Sequence, residues 1–343
     1  MLLGKINSFS IWLIVLGLSI VSIILIGGYT RISDSGLSIT EWLPVSGILY
    51  PMNEAAWEIE FNKYKMIDEF MLVNSSMTLL EFKYIYFWEW FHRTFARFIG
   101  LIYLIPLVYL IISKKILRRY FYNIFLIGFL LAIQAIVGWY MVKSGLTGRV
   151  DVSQYRLSLH LTIAFIVLGL VFFTLLRFNS HQNNLRLDYD LVKRRKLILT
   201  IFVLIFFQIV YGAFVSGTDS GLLYNTWPLY DGKFLPNELV IQNKLLFNFF
   251  ENKEFIIFFH RTFAFILLFL IAYLNFTIFR KNTNYKTVIL VIVFDIVFII
   301  QGGLGVMMIY LNIPWYLALA HQGNSILIFL LSFYMYALSK KSS

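Results

Sequence analysis

The hexapeptide "FHRTFA" stands at residues 91–96 and again at 259–264, each copy placing one histidine at the head of a long apolar run. A soluble domain keeps about a quarter of its residues charged. This chain of 343 residues is 14% charged and 59% hydrophobic, which puts it in a bilayer. About 20 apolar residues suffice to span one. Eight runs qualify: 9–29, 88–112, 121–142, 158–178, 197–217, 255–279, 287–310 and 316–338. The first is longer than a secretory h-region and lacks a small-residue cleavage site after it, so it reads as a retained helix. The predicted fold class is an all-α integral membrane protein with eight transmembrane helices.

The doubled hexapeptide belongs to a larger repeat. "YTRISDSGLSITEWLP" (29–44) follows the first helix and "FVSGTDSGLLYNTWPL" (214–229) the fifth, both with Asp-Ser-Gly and then a Trp, at an offset of 185. "IQAIVGWYMV" (133–142) matches "IQGGLGVMMI" (300–309) at 167, and "SLHLT" (158–162) pairs with "LAHQG" (319–323) at 161. Four helices per unit is an even number, so both copies cross in the same sense. The pattern is a parallel repeat, unlike the inverted repeats of many transporters. It predicts two pseudo-symmetric four-helix bundles: an N-terminal half (1–178), an inner basic linker (179–196) and a C-terminal half (197–343). The stretch "NEAAWEIEFNKYKMIDEFM" (53–71) has helical spacing and mixed charge. It predicts one or two short helices at the outer surface, serving as a lid or as a solvated cap.

The formal net charge of +11 invites a nucleic-acid reading that its distribution removes. With the N-terminus inside, the inner segments hold 16 of the 29 basic residues against two acids, Asp188 and Asp190; the outer segments hold 13 bases and 15 acids. Asp295 lies within a helix. This is the positive-inside bias, and it places both termini in the cytoplasm with no nucleic-acid partner. The absence of cysteine excludes disulfides, thiolate metal sites, cysteine nucleophiles and covalent c-type haem.

Of five histidines, His181 falls in the inner basic region and reads as solvated. His92, His160, His260 and His321 are predicted to open helices 2, 4, 6 and 8, all of which enter from the outer face. A lone histidine at a helix end is ordinarily an interfacial polar residue. Four at one level, two per bundle, match the way facing helices ligate a cofactor. Two imidazoles across a bundle can hold one haem iron from opposite faces. Zinc or copper would require a third or fourth ligand per site.

The halves differ at their mouths. Glu89 precedes His92 by three residues, on the same helix face; its repeat counterpart is Ile257. Arg156 precedes His160 by four, and its counterpart is Leu317. A carboxylate beside a haem edge can accept a proton or orient water, and an arginine can bind a propionate. The first half therefore reads as the site of chemistry, the second as a structural or redox haem site. Against this, Glu89 could be a surface ion pair with Arg93, and Arg93 and Arg261 could snorkel rather than contact propionates. Gln134 and Gln301, repeat counterparts, are expected to bond across their bundles. Asp295 is an intramembrane acid of unassigned role. Gly27, Gly28, Gly138, Gly212, Gly302, Gly303 and Gly305 suit close approach of a helix or a cofactor, and packing alone would explain them equally.

"GGYTRISDSGLSITEW" (27–42), "EFKYIYFWEWFHRTFARFIG" (81–100), "QAIVGWYMVKSGL" (134–146) and "HQGNS" (321–325) together resemble the haem A synthase family. Without cysteine, the chain looks like the branch found in α-proteobacteria and mitochondria. The resemblance implies oxidation of the C8 methyl of haem O to a formyl group by successive hydroxylation and loss of water, giving haem A for cytochrome c oxidase assembly. It implies His92 and His160 as ligands of the substrate haem, Glu89 as the catalytic group, and His260 and His321 as ligands of a haem B cofactor and its iron. It places the enzyme in the bacterial inner membrane, with the haem sites near the periplasmic face. Haem O synthase is a candidate for direct handover of substrate, an electron acceptor of unidentified kind is required, lipid surrounds the helices, and a homo-oligomer is open. A two-haem electron carrier of cytochrome b type accounts for the four histidines but not for Glu89 and Arg156 in one half only. A transporter with parallel repeats would need polar residues at mid-membrane, of which the helices show few.

Overall fold

The computed structural model describes residues 7–114, 118–146, 148–183, 188–242, 244–280 and 283–339. Lys5, Lys115, Arg186, Lys281, Lys340 and Lys341, counted above among the inner bases, fall outside these residues, as does the side chain of His181. Among the described residues there is no β-strand, and eight helices are long and apolar enough to cross a membrane. They are α1 (Ser8–Ile32), α2 (Leu79–Ile112), α3 (Phe121–Lys143), α4 (Gln154–Asn183), α5 (Arg195–Gly217), α6 (Lys253–Phe279), α7 (Tyr285–Tyr310) and α8 (Trp315–Ser339). The chain divides into two compact units, Met1–Gln182 and Asn183–Ser343.

Asparagine caps start three of these helices: Asn7 accepts from Ser10 N in α1, Asn252 from Glu254 N in α6, and Asn284 from Lys286 N in α7. The sequence Thr-x-x-Glu starts α2. Thr78 Oγ1 accepts from Glu81 N, and Glu81 returns a carboxylate to Thr78 N, a complete capping box. Because that cap lies at 78, α2 begins well before its apolar run. His92 therefore sits 13 residues into its helix rather than opening it, whereas His160, His260 and His321 lie six, seven and six residues in.

The N-terminal unit is a four-helix bundle. In it α1 packs on α2, Tyr103 of α2 donates to Ile124 O of α3, Asn123 of α3 donates to Thr174 of α4, and Phe178 of α4 packs against Phe9 of α1. The C-terminal unit is built of the other four long helices. There α5 packs on α6 and α8, α7 packs on α8, and Asn275 of α6 donates to Asp295 of α7. Its core joins Ile198 and Ile201 of α5, Ile271 and Leu274 of α6, Phe294 of α7 and Ile328 of α8. Apolar side chains stay exposed on the outside of the helices, as at Phe98, Leu104 and Ile105, as a lipid solvent requires.

The repeated Asp-Ser-Gly ends a helix in both units. Asp34 and Asp219 follow the last turns of α1 and α5 with φ of +47° and +54°. Aspartate is one of the few residues that visits this left-handed region. The outer segment of the N-terminal unit forms two short helices, Glu54–Tyr64 and Asp68–Leu72. Trp57, Phe61, Tyr64 and Ile67 pack with Phe82, Ile85 and Tyr86 on the outward extension of α2. Each such buried side chain contributes about 1.5–3 kcal/mol, so this cap is a small apolar core of its own.

Candidate functional site

Each of the four membrane histidines rests against a glycine of the preceding long helix. A Cβ built on Gly27 of α1 would lie 2.9 Å from His92 Cε1; on Gly138 of α3, 3.1 Å from His160 Cε1; on Gly212 of α5, 3.4 Å from His260 Cε1; on Gly305 of α7, 3.3 Å from His321 Cε1. Gly27 and Gly212, and Gly138 and Gly305, are repeat counterparts at offsets of 185 and 167. Of the seven glycines singled out in the sequence, these four carry the contact; Gly302 and Gly303 meet nothing within 4 Å. A Cβ at Gly27 would force the ring to shift, one at Gly138 or Gly305 would be tight, and one at Gly212 would make ordinary contact.

In all four rings Nδ1 is sealed from solvent and has no hydrogen-bond partner. Buried polar atoms are ordinarily paired, so four matching exceptions call for a reason. His92 and His160 belong to the N-terminal unit, and His260 and His321 to the C-terminal unit. Among the described residues no group of three or more His, Asp or Glu is placed to hold a metal ion. That donor set is too small for zinc or copper held by protein alone. It suits a haem iron, whose porphyrin supplies four ligands and leaves two axial positions for imidazole.

Backbone anchors fix the two histidine helices. Gln134 Nε2 donates to the carbonyl of His160 at 3.0 Å, and Gln301 accepts from Asn324 of α8 at 2.8 Å, so both amides do cross to the neighbouring helix. Gln208 of α5, absent from the sequence reading, donates to the carbonyl of His260 at 2.9 Å. Its signal was an amide inside "IFFQIVYG", a polar side chain with no aqueous reason to be there.

Glu89 is buried, 3% exposed, and both its oxygens are engaged. Oε2 accepts from Ser38 Oγ and from Ile39 N, each at 2.7 Å; Oε1 accepts from Arg93 Nη2 at 2.5 Å and Nε at 3.1 Å. The ion pair with Arg93 exists, but in the interior and not at the surface. Arg93 also donates to the carbonyls of Ile39 and Glu41. The carboxylate thus clips the loop after α1 to α2, one turn outward of His92.

At the same place in the C-terminal unit Ile257 packs with Tyr224 and Tyr230. Arg261 donates to the carbonyls of Tyr224 and Thr226. Arg93 and Arg261 therefore share one task, holding the outer loop of their own unit, which the sequence reading had offered to propionates or to snorkelling. Arg156 is different. Its guanidinium lies 4.6 Å from the Tyr140 ring centre, and its Nη1 is sealed without a partner. A free, enclosed guanidinium donor fits a propionate carboxylate. Asp295 accepts from Asn275 of α6 at 2.9 Å.

The fold and site define an eight-span membrane protein with a glycine-backed pair of histidines in each unit, a donor set that suits a haem. The chain matches the family described as COX15-CtaA, cytochrome oxidase assembly protein, over residues 10–333, and belongs to it. It is 40% identical over 333 residues to a protein of Pelagibacter ubique named "Heme A synthase", covering 97% of this chain and 96% of that relative. Proteins of the same name from Rhizobium etli and Wolbachia pipientis are 39% and 36% identical, covering 93% and 97% of this chain and 86% and 93% of theirs.

Proposed function

We propose that this protein is a haem A synthase of the inner membrane: it oxidises the C8 methyl of haem O to a formyl group and hands the product on for cytochrome c oxidase assembly. The observation that carries the reading is Glu89, a buried carboxylate one helical turn from His92 in the N-terminal unit, where the C-terminal unit has Ile257. His92 and His160 bind the substrate haem, and Arg156 meets a propionate with its unpartnered Nη1. His260 and His321 hold a resident haem B, which when bound supplies one-electron redox chemistry toward an external acceptor. Both termini are cytoplasmic and both sites lie toward the periplasmic face. Substrate arrives from haem O synthase through the lipid phase or by direct handover.

Glu89 accepts a proton as the methyl is oxidised. For that, Oε2 must lose a donor, and the neighbouring hydroxyl makes this possible. Ser38 has one hydroxyl hydrogen and two acceptors in reach, Glu89 Oε2 at 2.7 Å and Ser35 O at 3.1 Å. It can turn from the first to the second when the carboxylate takes a proton. Ile39 N and Arg93 keep the side chain in place meanwhile.

The test is extraction and identification of haems from purified wild type and Glu89→Gln. Wild type fed haem O should yield haem A; Glu89→Gln should keep both haems but accumulate haem O. Normal haem A formation by Glu89→Gln removes the assigned role. A wild-type protein that binds two haems and never yields a formyl haem is an electron carrier of cytochrome b type instead.

A further inference from the structure

The loop after α1 runs along α2, and its partners on that helix record its path. Arg93 donates to the carbonyls of Ile39 and Glu41 at 2.9 and 3.0 Å. Arg97, one turn further toward the inner end of α2, donates to those of Leu43 and Pro44, each at 2.9 Å. Trp90, back toward the outer end, donates to Ile48 O at 3.1 Å. The chain therefore descends along α2 from 41 to 44, turns in the short helical turn Ser46–Ile48, and climbs again.

Depth along α2 places the low point. Its inner end is Ile112, followed by Ser113 and Lys114. A hydrocarbon core of about 30 Å takes about 20 helical residues at 1.5 Å each. Counted outward from Ser113, that reaches Arg93, so Arg97 and the turn bonded to it lie within the outer edge of the core; tilt of the helix only deepens them.

Irregular backbone survives at such depth only when its polar groups are satisfied by protein, and here the carbonyls of Leu43, Pro44, Val45, Ser46 and Ile48 all have partners. Besides the five bonds from Trp90, Arg93 and Arg97, Gly47 N donates to Leu43 O, Ile48 N to Val45 O and Leu49 N to Ser46 O. The side chains point the other way. Val45 is 83% exposed and Leu49 74%, with Trp42, Leu43, Ile48 and Met52 exposed beside them. Conversely, the charge of Arg97 would be costly in hydrocarbon, and the loop carbonyls are what receive it.

The geometry points to residues 42–52 as a membrane-inserted strap whose apolar side chains lie among the acyl chains of the outer leaflet, pinned to α2 by Arg97. Its partner is lipid, and it closes the flank of the His92 bundle against the bilayer.

The lack of native cysteine allows clean single-site labelling of the full-length protein in phosphatidylcholine–phosphatidylglycerol vesicles. Nitroxide labels at V45C and L49C should collide with oxygen more than with a water-soluble nickel chelate, as a label at L104C on the lipid face of α2 should. A label at E58C, on the exposed outer helix, should do the reverse. Chelate-dominated collision at 45 and 49, matching that at 58, would overturn the proposal. So would low collision with both reagents, which means another protein surface covers the strap. Adding Arg97→Gln should shift V45C toward the chelate while leaving L104C unchanged. No shift there would show that Arg97 does not pin the strap.

Discussion

The two outer loops are held to their bundles by the same scaffold and different chemistry. In both, an aspartate in the left-handed region ends the first helix, and an arginine next to the histidine grips loop carbonyls. Then they part. In the N-terminal unit Glu89 bonds Ser38 and Ile39, and Arg97 bonds Leu43 and Pro44. In the C-terminal unit the counterparts are Ile257, packed with Tyr224, and Phe265, stacked on Trp227 at 6.1 Å and 17°. Tyr224 stands where Ile39 does, and Trp227 where Trp42 does. Charge in one half is replaced by apolar packing in the other at two positions, one turn to either side of the shared arginine. The shared parts are the histidines and the glycines behind them; the parts that differ place the buried Glu89 carboxylate in one unit and Ile257, packed on tyrosines, in the other.

The largest expected effect tests the shared part. His260→Ala or His321→Ala should remove one haem per chain from the purified protein while haem still binds the other bundle; His92→Ala and His160→Ala should do the converse. Quantitative haem extraction against protein concentration reads this directly, and loss of both haems from a single substitution would show that the bundles do not bind independently.

Next comes the exchange of the distinguishing residue. Glu89→Ile imports the second-half side chain and should lower haem A formation by about 100-fold or more, the usual scale for a lost proton-transfer group. It also strips Arg93 of its buried partner, at a cost of about 3–5 kcal/mol, so thermal unfolding should fall with it. Glu89→Gln should lose comparable activity with a smaller loss of stability, because an amide can still receive the Ser38 and Ile39 donors. Equal loss of stability in both variants would break the assignment.

A finer comparison uses the glycines. Gly27→Ala brings a Cβ to 2.9 Å from the His92 ring, Gly212→Ala only to 3.4 Å from the His260 ring. The first should perturb the low-temperature paramagnetic resonance spectrum of its haem, and the second should leave its haem close to native. The order reversed would mean that the N-terminal bundle relaxes more readily than its spacing suggests.

The last comparison lies in the cap of the N-terminal unit, away from the histidines. Burial, despite a hydrogen bond from Tyr64, pushes the Glu69 carboxyl up from 4.5 to about 8. The folded chain then holds a proton that the unfolded chain releases between pH 4.5 and 8. Stability should therefore fall as pH rises through that window, by at most about 1.4 kcal/mol per pH unit. Glu69→Gln should flatten this part of the profile in thermal melts of detergent-solubilised protein; an unchanged profile would assign the slope to another group.

Much of this was legible in the chain. Apolar run length sets the eight spans, because a bilayer imposes one length on any helix crossing it. The repeated "FHRTFA" and Asp-Ser-Gly segments located the histidines and the helix ends, and the offset arithmetic exposed Glu89 against Ile257. Other features were not legible. Seven glycines looked alike, yet four of them back a histidine, since that depends on the rotation of one helix against the next. Gln208 carried a signal that went unused because its repeat counterpart is Ile23, so no matched pair drew attention to it. Nothing along the chain set Arg97 apart from the other basic residues.

By itself, the sequence determines that the protein has eight membrane helices with an internal repeat and two pairs of histidines, because these follow from periodicity and hydrophobic length along one chain. Tertiary structure alone decided that Glu89 is a buried clip and not a surface charge, that each imidazole edge meets a glycine, and that the loop after α1 dips beside Arg97. Those facts concern atoms far apart in sequence, and only the packing of one helix on another sets the distances between them.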